Sequence, residues 1–281
     1  MKAKRMGLIT VFGASGFIGS NLVAELRRRT VEHLALTRED PIPQHNLGNV
    51  IYCIGVTADF RSKPFETVDA HVCKLRAILQ GCEFESLTYL SSTRVYANST
   101  GSAREEDPIV VAPADLSDLY NISKAMGESL SLNCGRNARV VRLSNVYGPD
   151  FDSENFLATI IKEAITTGHL TLNTTRDSTK DYVGIRDVVH GLIEIATRGR
   201  ERIYNLASGT PVSNDELAAR FSEIAKCKVE FRENASRVTF PPIAIDRMRS
   251  EFDFRPSSLL NELEGLVSMY RETNRSRNDQ Y

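Results

Sequence analysis

The sequence Gly13-Ala14-Ser15-Gly16-Phe17-Ile18-Gly19 joins an apolar run, Leu8–Phe12, to an amphipathic run, Phe17–Arg29. The first run predicts a buried strand, and the spacing of apolar residues in the second predicts a helix. Glycines at such a junction permit a tight turn and let the backbone approach a pyrophosphate, which the positive end of the helix attracts. The junction therefore predicts a dinucleotide site with contacts from Gly13, Ser15, Gly16, Phe17, Ile18 and Gly19.

Short apolar runs continue to alternate with helical patterns over the first two thirds of the chain. The other predicted strands and helices are Leu34–Thr37, Val50–Ile54, Pro64–Gln80 (helix), Leu87–Leu90, Leu116–Leu132 (helix), Ala138–Leu143 and Ile203–Ala207. This alternation indicates βαβ units, and hence an α/β fold with a doubly wound parallel sheet.

The connection between the second and third predicted strands is unusually short. About a dozen residues separate Thr37 from Val50, and Pro41 and Pro43 are among them. A parallel crossover normally needs a dozen residues or more, usually with a helix, and proline lacks the N–H that a strand requires. We therefore expect no additional strand here, so that Leu34–Thr37 forms the sheet edge and only an irregular loop covers the adenine side.

Composition and charge exclude several classes of protein. The net charge of −1 provides no overall field that would attract nucleic acid or an anionic membrane surface. The five cysteines form no CxxC pair, which favours reduced thiols over a zinc site or a disulfide framework. No apolar stretch approaches the roughly 20 residues of a membrane span. The sequence predicts a cytoplasmic protein with no metal site and no nucleic-acid or membrane partner.

The end of the second strand decides the preferred dinucleotide. An acidic residue there would bind the ribose hydroxyls of NAD, but this chain has Thr37 and Arg38. An arginine suits a 2′-phosphate, so these residues favour NADP over NAD. In the alternative, Arg38 only solvates the strand end and Glu39 or Asp40 binds the ribose.

A tyrosine and a lysine four residues apart lie on the predicted helix Leu116–Leu132. This spacing places Tyr120 and Lys124 on one face, where the cation lowers the pKa of the phenol and prepares it for proton exchange. Ser92, at the carboxyl end of the preceding strand, can hydrogen-bond the same substrate oxygen. The pair alone is a weak signal, but ligands of open α/β sheets bind at this edge.

Several further segments resemble one family along most of the chain. Leu90-Ser-Ser-Thr-Arg-Val-Tyr96, Arg142–Pro149, Lys180–Asp187 and Tyr204–Gly209 resemble motifs of the extended short-chain dehydrogenases, the NAD-dependent epimerase/dehydratase family. The resemblance implies a Rossmann-type domain (1–149, rejoined by 183–208) and a smaller substrate domain (150–182 and 209–281). It also implies a homodimer formed through the helices Pro64–Gln80 and Leu116–Leu132.

The same resemblance implies oxidoreduction at C4 of a nucleotide sugar, as a 4-ketoreductase or a 4-epimerase. Ser92, Tyr120 and Lys124 would be catalytic, with Tyr120 and Lys124 also contacting the cofactor. Substrate contacts would come from Thr93, Asn145, Arg176 and Lys180, although the two cations have an equal claim to be ordinary surface residues. The alternative is a non-catalytic NAD(P)-binding sensor on the same fold.

Some residues depart from the family's pattern. Dehydratases of the family usually carry Asp-Glu after the catalytic serine or threonine, whereas this chain has Thr93 and Arg94, which disfavours dehydration. His71 is near a position where the family often has asparagine. It would either join a proton relay or, as we expect, lie on the helix surface.

Overall fold

The computed structural model describes residues 7–56, 60–99, 101 and 103–278. The outer limits of the two predicted domains, residues 1–6 and 279–281, lie outside this part of the chain. Within it, no helix combines the length and the apolar composition needed to cross a membrane.

The described residues form eleven strands and nine α-helices. The strands are β1 (Ile9–Phe12), β2 (His33–Leu36), β3 (Asn49–Tyr52), β4 (Ser86–Ser92), β5 (Ala138–Leu143), β6 (Asn145–Tyr147), β7 (His169–Thr174), β8 (Thr179–Gly184), β9 (Ile203–Leu206), β10 (Pro211–Ser213) and β11 (Lys228–Ser236). The helices are α1 (Phe17–Arg28), α2 (Pro64–Val68), α3 (Lys74–Gly81), α4 (Asp118–Asn133), α5 (Phe156–Thr167), α6 (Ile185–Arg198), α7 (Asn214–Ala225), α8 (Asp246–Phe252) and α9 (Leu259–Asn278).

The central sheet has six parallel strands in the order β2-β1-β3-β4-β5-β9. Helices α1 and α6 cover one face, where their apolar side chains pack on Val11 and Ile51. Side chains of α3 pack on Phe12 and Tyr52 on the other face. Burial on both faces explains why these strands are continuous apolar runs. The prediction of a doubly wound, Rossmann-type parallel sheet is confirmed.

The strand β2 is the edge of this sheet, as the short connection predicted. Residues 37–48 contain no strand, and the chain passes from β2 across β1 to pair β3 on its other side. At the start of the connection, the Asp40 carboxylate accepts hydrogen bonds from the Thr37 backbone N–H (2.7 Å) and hydroxyl (2.8 Å). This local turn replaces a strand on the adenine side.

A second hydrophobic core lies beyond the central sheet. It is built from α5, α7 and α9 together with strands of two small sheets, β10-β8-β6 and β11-β7. Tyr147, Phe221 and Leu263 are buried in it. The division of the chain into a cofactor domain and a substrate domain at the predicted limits stays a prediction.

The predicted helix Pro64–Gln80 is interrupted in the structure. A π-helical turn, Asp69–Cys73, separates α2 from α3. The Tyr52 hydroxyl donates to the Ala70 carbonyl at 2.6 Å within this turn. Gly127 of α4 packs directly against it, since a Cβ at that position would lie 2.8 Å from the His71 carbonyl oxygen. The absence of a side chain at Gly127 therefore lets α4 approach the turn closely.

Candidate active site

A cavity of about 590 Å³ opens between the carboxyl ends of the central strands and the second core. Ten of the residues predicted from the sequence line it: Gly16, Phe17, Ile18, Gly19, Ser92, Thr93, Tyr120, Lys124, Asn145 and Lys180. Gly13, Ser15, Thr37, Arg38 and Arg176 are not among its lining residues. The structure thus brings the glycine junction and the Tyr–Lys pair to one cavity.

The glycine junction forms a cradle that side chains would fill. Gly13 has a φ of +82°, and a Cβ there would lie 3.0 Å from the backbone of Cys53 and Ile54. A Cβ on Gly19 would lie only 2.1 Å from the Gly13 carbonyl oxygen. The helix α1 begins at Phe17 with no side-chain cap, so its first N–H groups face open space. This arrangement fits the pyrophosphate of a dinucleotide.

The other end of a bound dinucleotide would meet Thr37 and Arg38. Asp40 is occupied by its hydrogen bonds to Thr37, and these lower the pKa of the Asp40 carboxyl. The exposed Arg38 guanidinium reaches across to the Gly55 carbonyl at 3.4 Å, and Lys74 donates to the Arg38 carbonyl at 2.7 Å. Two cations, Arg38 and Lys74, therefore lie beside the end of β2, together with the exposed carboxylate of Glu39.

Tyr120 is buried at the floor of the cavity, between two rings. Phe60 lies 5.3 Å from its ring centroid, and His71 makes an edge-on contact at 5.3 Å. Burial raises the pKa of Tyr120, while a hydrogen bond with Ser92 and the positive charge of Arg94 oppose that rise. The packing fixes the direction of the phenol, and its hydroxyl meets the Ser92 side chain.

Lys124 lies one helical turn from Tyr120, with its Nζ 5.8 Å from the tyrosine ring centroid. The ammonium donates to the Leu90 carbonyl at 2.8 Å. Burial lowers the pKa of Lys124 to about 7, and the nearby Glu128 carboxylate opposes this shift. The sequence predicted that Lys124 lowers the pKa of Tyr120, but burial raises it, and the cation that opposes the rise is Arg94, which nothing in the spacing indicates.

His71 is fully buried, so the prediction of a helix-surface histidine is wrong. The π-helical turn rotates it beneath the loop that follows β3. The Val56 N–H donates to His71 Nε2 at 3.2 Å, so Nδ1 carries the proton and donates to the Ser123 hydroxyl at 2.8 Å. Burial lowers the pKa of His71 to about 2, and this imidazole is neutral.

A buried ion pair supports the site from below. The Arg142 guanidinium contacts the Glu128 carboxylate at 2.7 Å, and both side chains are 4% exposed. Ser91 donates to Glu128 at 2.5 Å, and Arg142 also donates to the Tyr96 hydroxyl at 2.6 Å. Glu128 is four residues after Lys124, so the ion pair links α4 to β5 directly beneath the lysine.

The predicted substrate residues divide into two groups. Thr93, Asn145 and Lys180 line the cavity, with Asn145 Nδ2 bound to the Asp181 carbonyl at 2.8 Å. Lys180 Nζ lies 4.2 Å from the Phe156 ring centroid at the start of α5.

Arg176 does not belong to the cavity, and its prediction as a substrate residue is corrected. It lies on the surface, stacks on Phe231 at 4.3 Å and pairs with Asp215 at 2.7 Å. Both partners of Arg176 are 39 or more residues away in the sequence, so no local pattern predicts these contacts.

Comparison with known proteins identifies relatives of the whole chain. The model of the NAD dependent epimerase/dehydratase family matches residues 9–207. A dTDP-4-dehydro-6-deoxy-D-allose reductase from Streptomyces sp is 26% identical, over 94% of this chain and 96% of that protein.

Solved structures share the fold. The structure of RMD from Pseudomonas aeruginosa, complexed with NADPH, has a TM-score of 0.76 and 20% identity, covering 95% of this chain and 99% of that one. A dTDP-glucose 4,6-dehydratase from Bacillus anthracis in complex with NAD has a TM-score of 0.76 and 20% identity, with 96% and 98% covered.

Proposed function

The chain belongs to the NAD dependent epimerase/dehydratase family, and from this we propose that it is an NAD(P)-dependent oxidoreductase that acts at C4 of a nucleotide sugar. The observation that carries the proposal is the convergence of Ser92, Tyr120 and Lys124 on the cavity that the glycine cradle also borders. The reductase among the relatives supports the same chemistry. A protein that only binds the dinucleotide has no need of a tyrosine held in this way, so the sensor alternative is not favoured.

The proposed mechanism follows from the positions of the three side chains. A sugar carbonyl oxygen placed against Ser92 and Tyr120 receives a hydrogen bond from the serine and the proton from the phenol. Lys124 holds its ammonium on the Leu90 carbonyl, from where it binds ribose hydroxyls and resupplies the proton. The bound dinucleotide supplies the hydride. Phe60 and His71 keep the phenol aimed at the reacting oxygen.

We favour a 4-ketoreductase over a 4-epimerase. The sheet ends at β2, and the irregular connection after it leaves the adenine side open, so the cofactor can exchange after each turnover. An epimerase must retain its cofactor through two hydride transfers. The test is to incubate the purified protein with a panel of nucleotide sugars and their 4-keto forms and follow NAD(P)H absorbance. Stoichiometric oxidation of NAD(P)H by a 4-keto form supports a reductase, whereas interconversion of two C4-epimeric nucleotide sugars without net NAD(P)H oxidation, with cofactor co-purifying at full occupancy, supports an epimerase.

We expect NADPH to bind more tightly than NADH. Arg38 is exposed beside β2, with Lys74 close by, and Asp40 is held by Thr37 and is not free for a ribose. Losing a charge-assisted contact to a 2′-phosphate lowers affinity by about tenfold or more. In Arg38→Ala the preference should fall by that factor, measured by titrating both cofactors. Equal binding of the two by the unaltered protein would contradict this assignment.

We expect a homodimer formed through α2 and α4. Phe65 and Leu116 are each 84% exposed, and Met126 is 51% exposed, on or beside these helices. Large apolar side chains left exposed to this extent are typical of an interface. Phe65→Glu should shift the protein to a monomer in light scattering coupled to gel filtration, whereas Met269→Glu on α9 should not. A wild-type monomer at micromolar concentration would contradict the proposal.

We also propose that the two predicted domains bind different ligands. Residues 1–149 and 183–208 would hold the cofactor, and residues 150–182 and 209–281 would hold the nucleotide end of the substrate near Lys180.

The five cysteines are all unpaired, which supports a reducing, cytoplasmic location.

A further inference from the structure

Arg94 is a cation in the wall of the cavity. Its side chain is partly buried, and its Nε is buried without a hydrogen-bond partner among the residues that the structure describes. In that part of the chain, no carboxylate oxygen lies within salt-bridge distance of its guanidinium. A buried donor without an acceptor is costly, so Arg94 is suited to a ligand that supplies one.

The acids that influence Arg94 are already engaged. Asp118 accepts hydrogen bonds from Asn98 (2.9 Å), from the Ala112 N–H (2.7 Å) and from Asn121 (2.7 Å). Asp115 accepts from the Ser117 N–H at 2.7 Å.

A second cation adds to the positive charge. Arg61 stacks on Phe60 at 4.4 Å; burial lowers the pKa of Arg94, and the charge of Arg61 adds to that fall. The surroundings of Arg94 therefore attract an anion.

Arg94 lies at the end of the cavity that holds Ser92 and Tyr120. It follows Ser92 by two residues, in the 3₁₀ turn Thr93–Tyr96 that leaves β4. Its guanidinium lies 5.6 Å from the centroid of the Phe60 ring, the ring that also packs on Tyr120. A group bound by Arg94 is therefore attached to the sugar close to the reacting carbon.

Lys180 provides a separate cation for the diphosphate. It lies against Phe156 at the start of α5, and Asn145 and Asp181 are the cavity residues around it. Burial lowers the pKa of Lys180 and the positive charge of Arg94 adds to that fall, so the two cations share one cavity, while the Arg94 guanidinium packs on Phe60. With the diphosphate at Lys180, Arg94 remains for another anionic group.

We propose that Arg94 binds a carboxylate on the ring carbon next to C4, so that the substrate is a nucleotide-activated hexuronic acid or its 4-keto form. The inference rests on the proposed function and narrows its substrate class. A carboxylate fits because the planar guanidinium presents paired N–H donors that match its two oxygens, whereas a hydroxymethyl group offers a single neutral acceptor and a methyl group offers none. A dehydratase-type Asp-Glu pair at Thr93 and Arg94 would repel the same group.

Binding measurements test this inference without requiring turnover. Isothermal titration would compare UDP, UDP-glucose and UDP-glucuronate, and the corresponding dTDP compounds, in the presence of saturating NADP⁺. The wild-type protein should bind the uronate at least tenfold more tightly than the neutral sugar, as expected for one added charge-assisted contact. In Arg94→Gln the ratio of these two affinities should fall to about one, and in Arg94→Lys it should be intermediate.

Lys180→Gln is the matched control. It should weaken all the nucleotides but keep the ratio between uronate and neutral sugar. A wild-type ratio near one, or a ratio that survives in Arg94→Gln, overturns the inference and leaves the proposed function standing. If Arg94→Gln weakens UDP itself as much as the uronate, Arg94 is a diphosphate contact and the inference is overturned. If no nucleotide or nucleotide sugar binds, both proposals fail together.

Discussion

Replacing Tyr120 by phenylalanine should lower kcat by roughly 10²–10⁴-fold, the usual contribution of a general acid. The substitution removes only the hydroxyl that meets Ser92. The ring remains packed between Phe60 and His71, so the fold and cofactor binding should survive. The measurement is the rate of NAD(P)H oxidation at saturating substrate, with circular dichroism and cofactor titration on the same preparation.

Tyr204→Phe is the control for removing a buried tyrosine hydroxyl elsewhere. That hydroxyl donates to Glu251 at 2.7 Å beside the turn that precedes β9, and neither residue lines the cavity, so its loss should affect stability and leave kcat near the wild-type value. A Tyr120→Phe variant that keeps the wild-type kcat on a true substrate would show that another group transfers the proton. A loss of cofactor binding in that variant would instead indicate a structural role for the phenol.

Replacing Glu128 by alanine should lower the free energy of unfolding by about 3–5 kcal/mol, the usual cost of removing one partner of a buried ion pair. The variant leaves the Arg142 guanidinium buried without its carboxylate, and it removes the acceptor of the Ser91 hydroxyl. It also removes the negative charge that opposes the lowered pKa of Lys124. Urea denaturation followed by circular dichroism measures the loss, and a reduced kcat should accompany it.

Glu83→Ala is the matched control for the loss of an acidic partner. Glu83 is 85% exposed and pairs with Arg136 at 3.8 Å, so its removal should cost about 0–1 kcal/mol. A Glu128→Ala variant as stable as Glu83→Ala would mean that water or a neighbouring group takes over the role of the carboxylate. The buried network would then not be what fixes α4 on β5.

The sequence was sufficient for the fold class and the family because both depend on short-range patterns. The alternation of apolar runs predicted the parallel strands within one or two residues, and Ala138–Leu143 coincides with β5. The glycine junction predicted close backbone contacts, which Gly13 and Gly19 make. The short, proline-containing connection after Thr37 predicted that β2 is the sheet edge.

The site was only partly accessible from the sequence. The i, i+4 spacing and the strand end were enough to bring Ser92, Tyr120 and Lys124 together, because helix and sheet geometry place them at one edge. Arg94 was noted as a departure from a motif, and its charge gave no indication that it faces Tyr120. Whether a cation faces a cavity or a partner depends on the chain packed around it.

By itself, the sequence determined the parallel sheet, its edge strand and the cradle, because each follows from residues within a turn or a strand of one another. Only the tertiary structure decided which cations serve the cavity. Arg176 is held on the surface by Asp215, 39 residues away, whereas among the described residues the Nε of Arg94 has no hydrogen-bond partner. The burial of His71 was likewise visible only in the structure. His71 lies in the π-helical turn, against which Gly127 packs from 56 residues further along the chain. Such partners are set by long-range packing, which local periodicity does not encode.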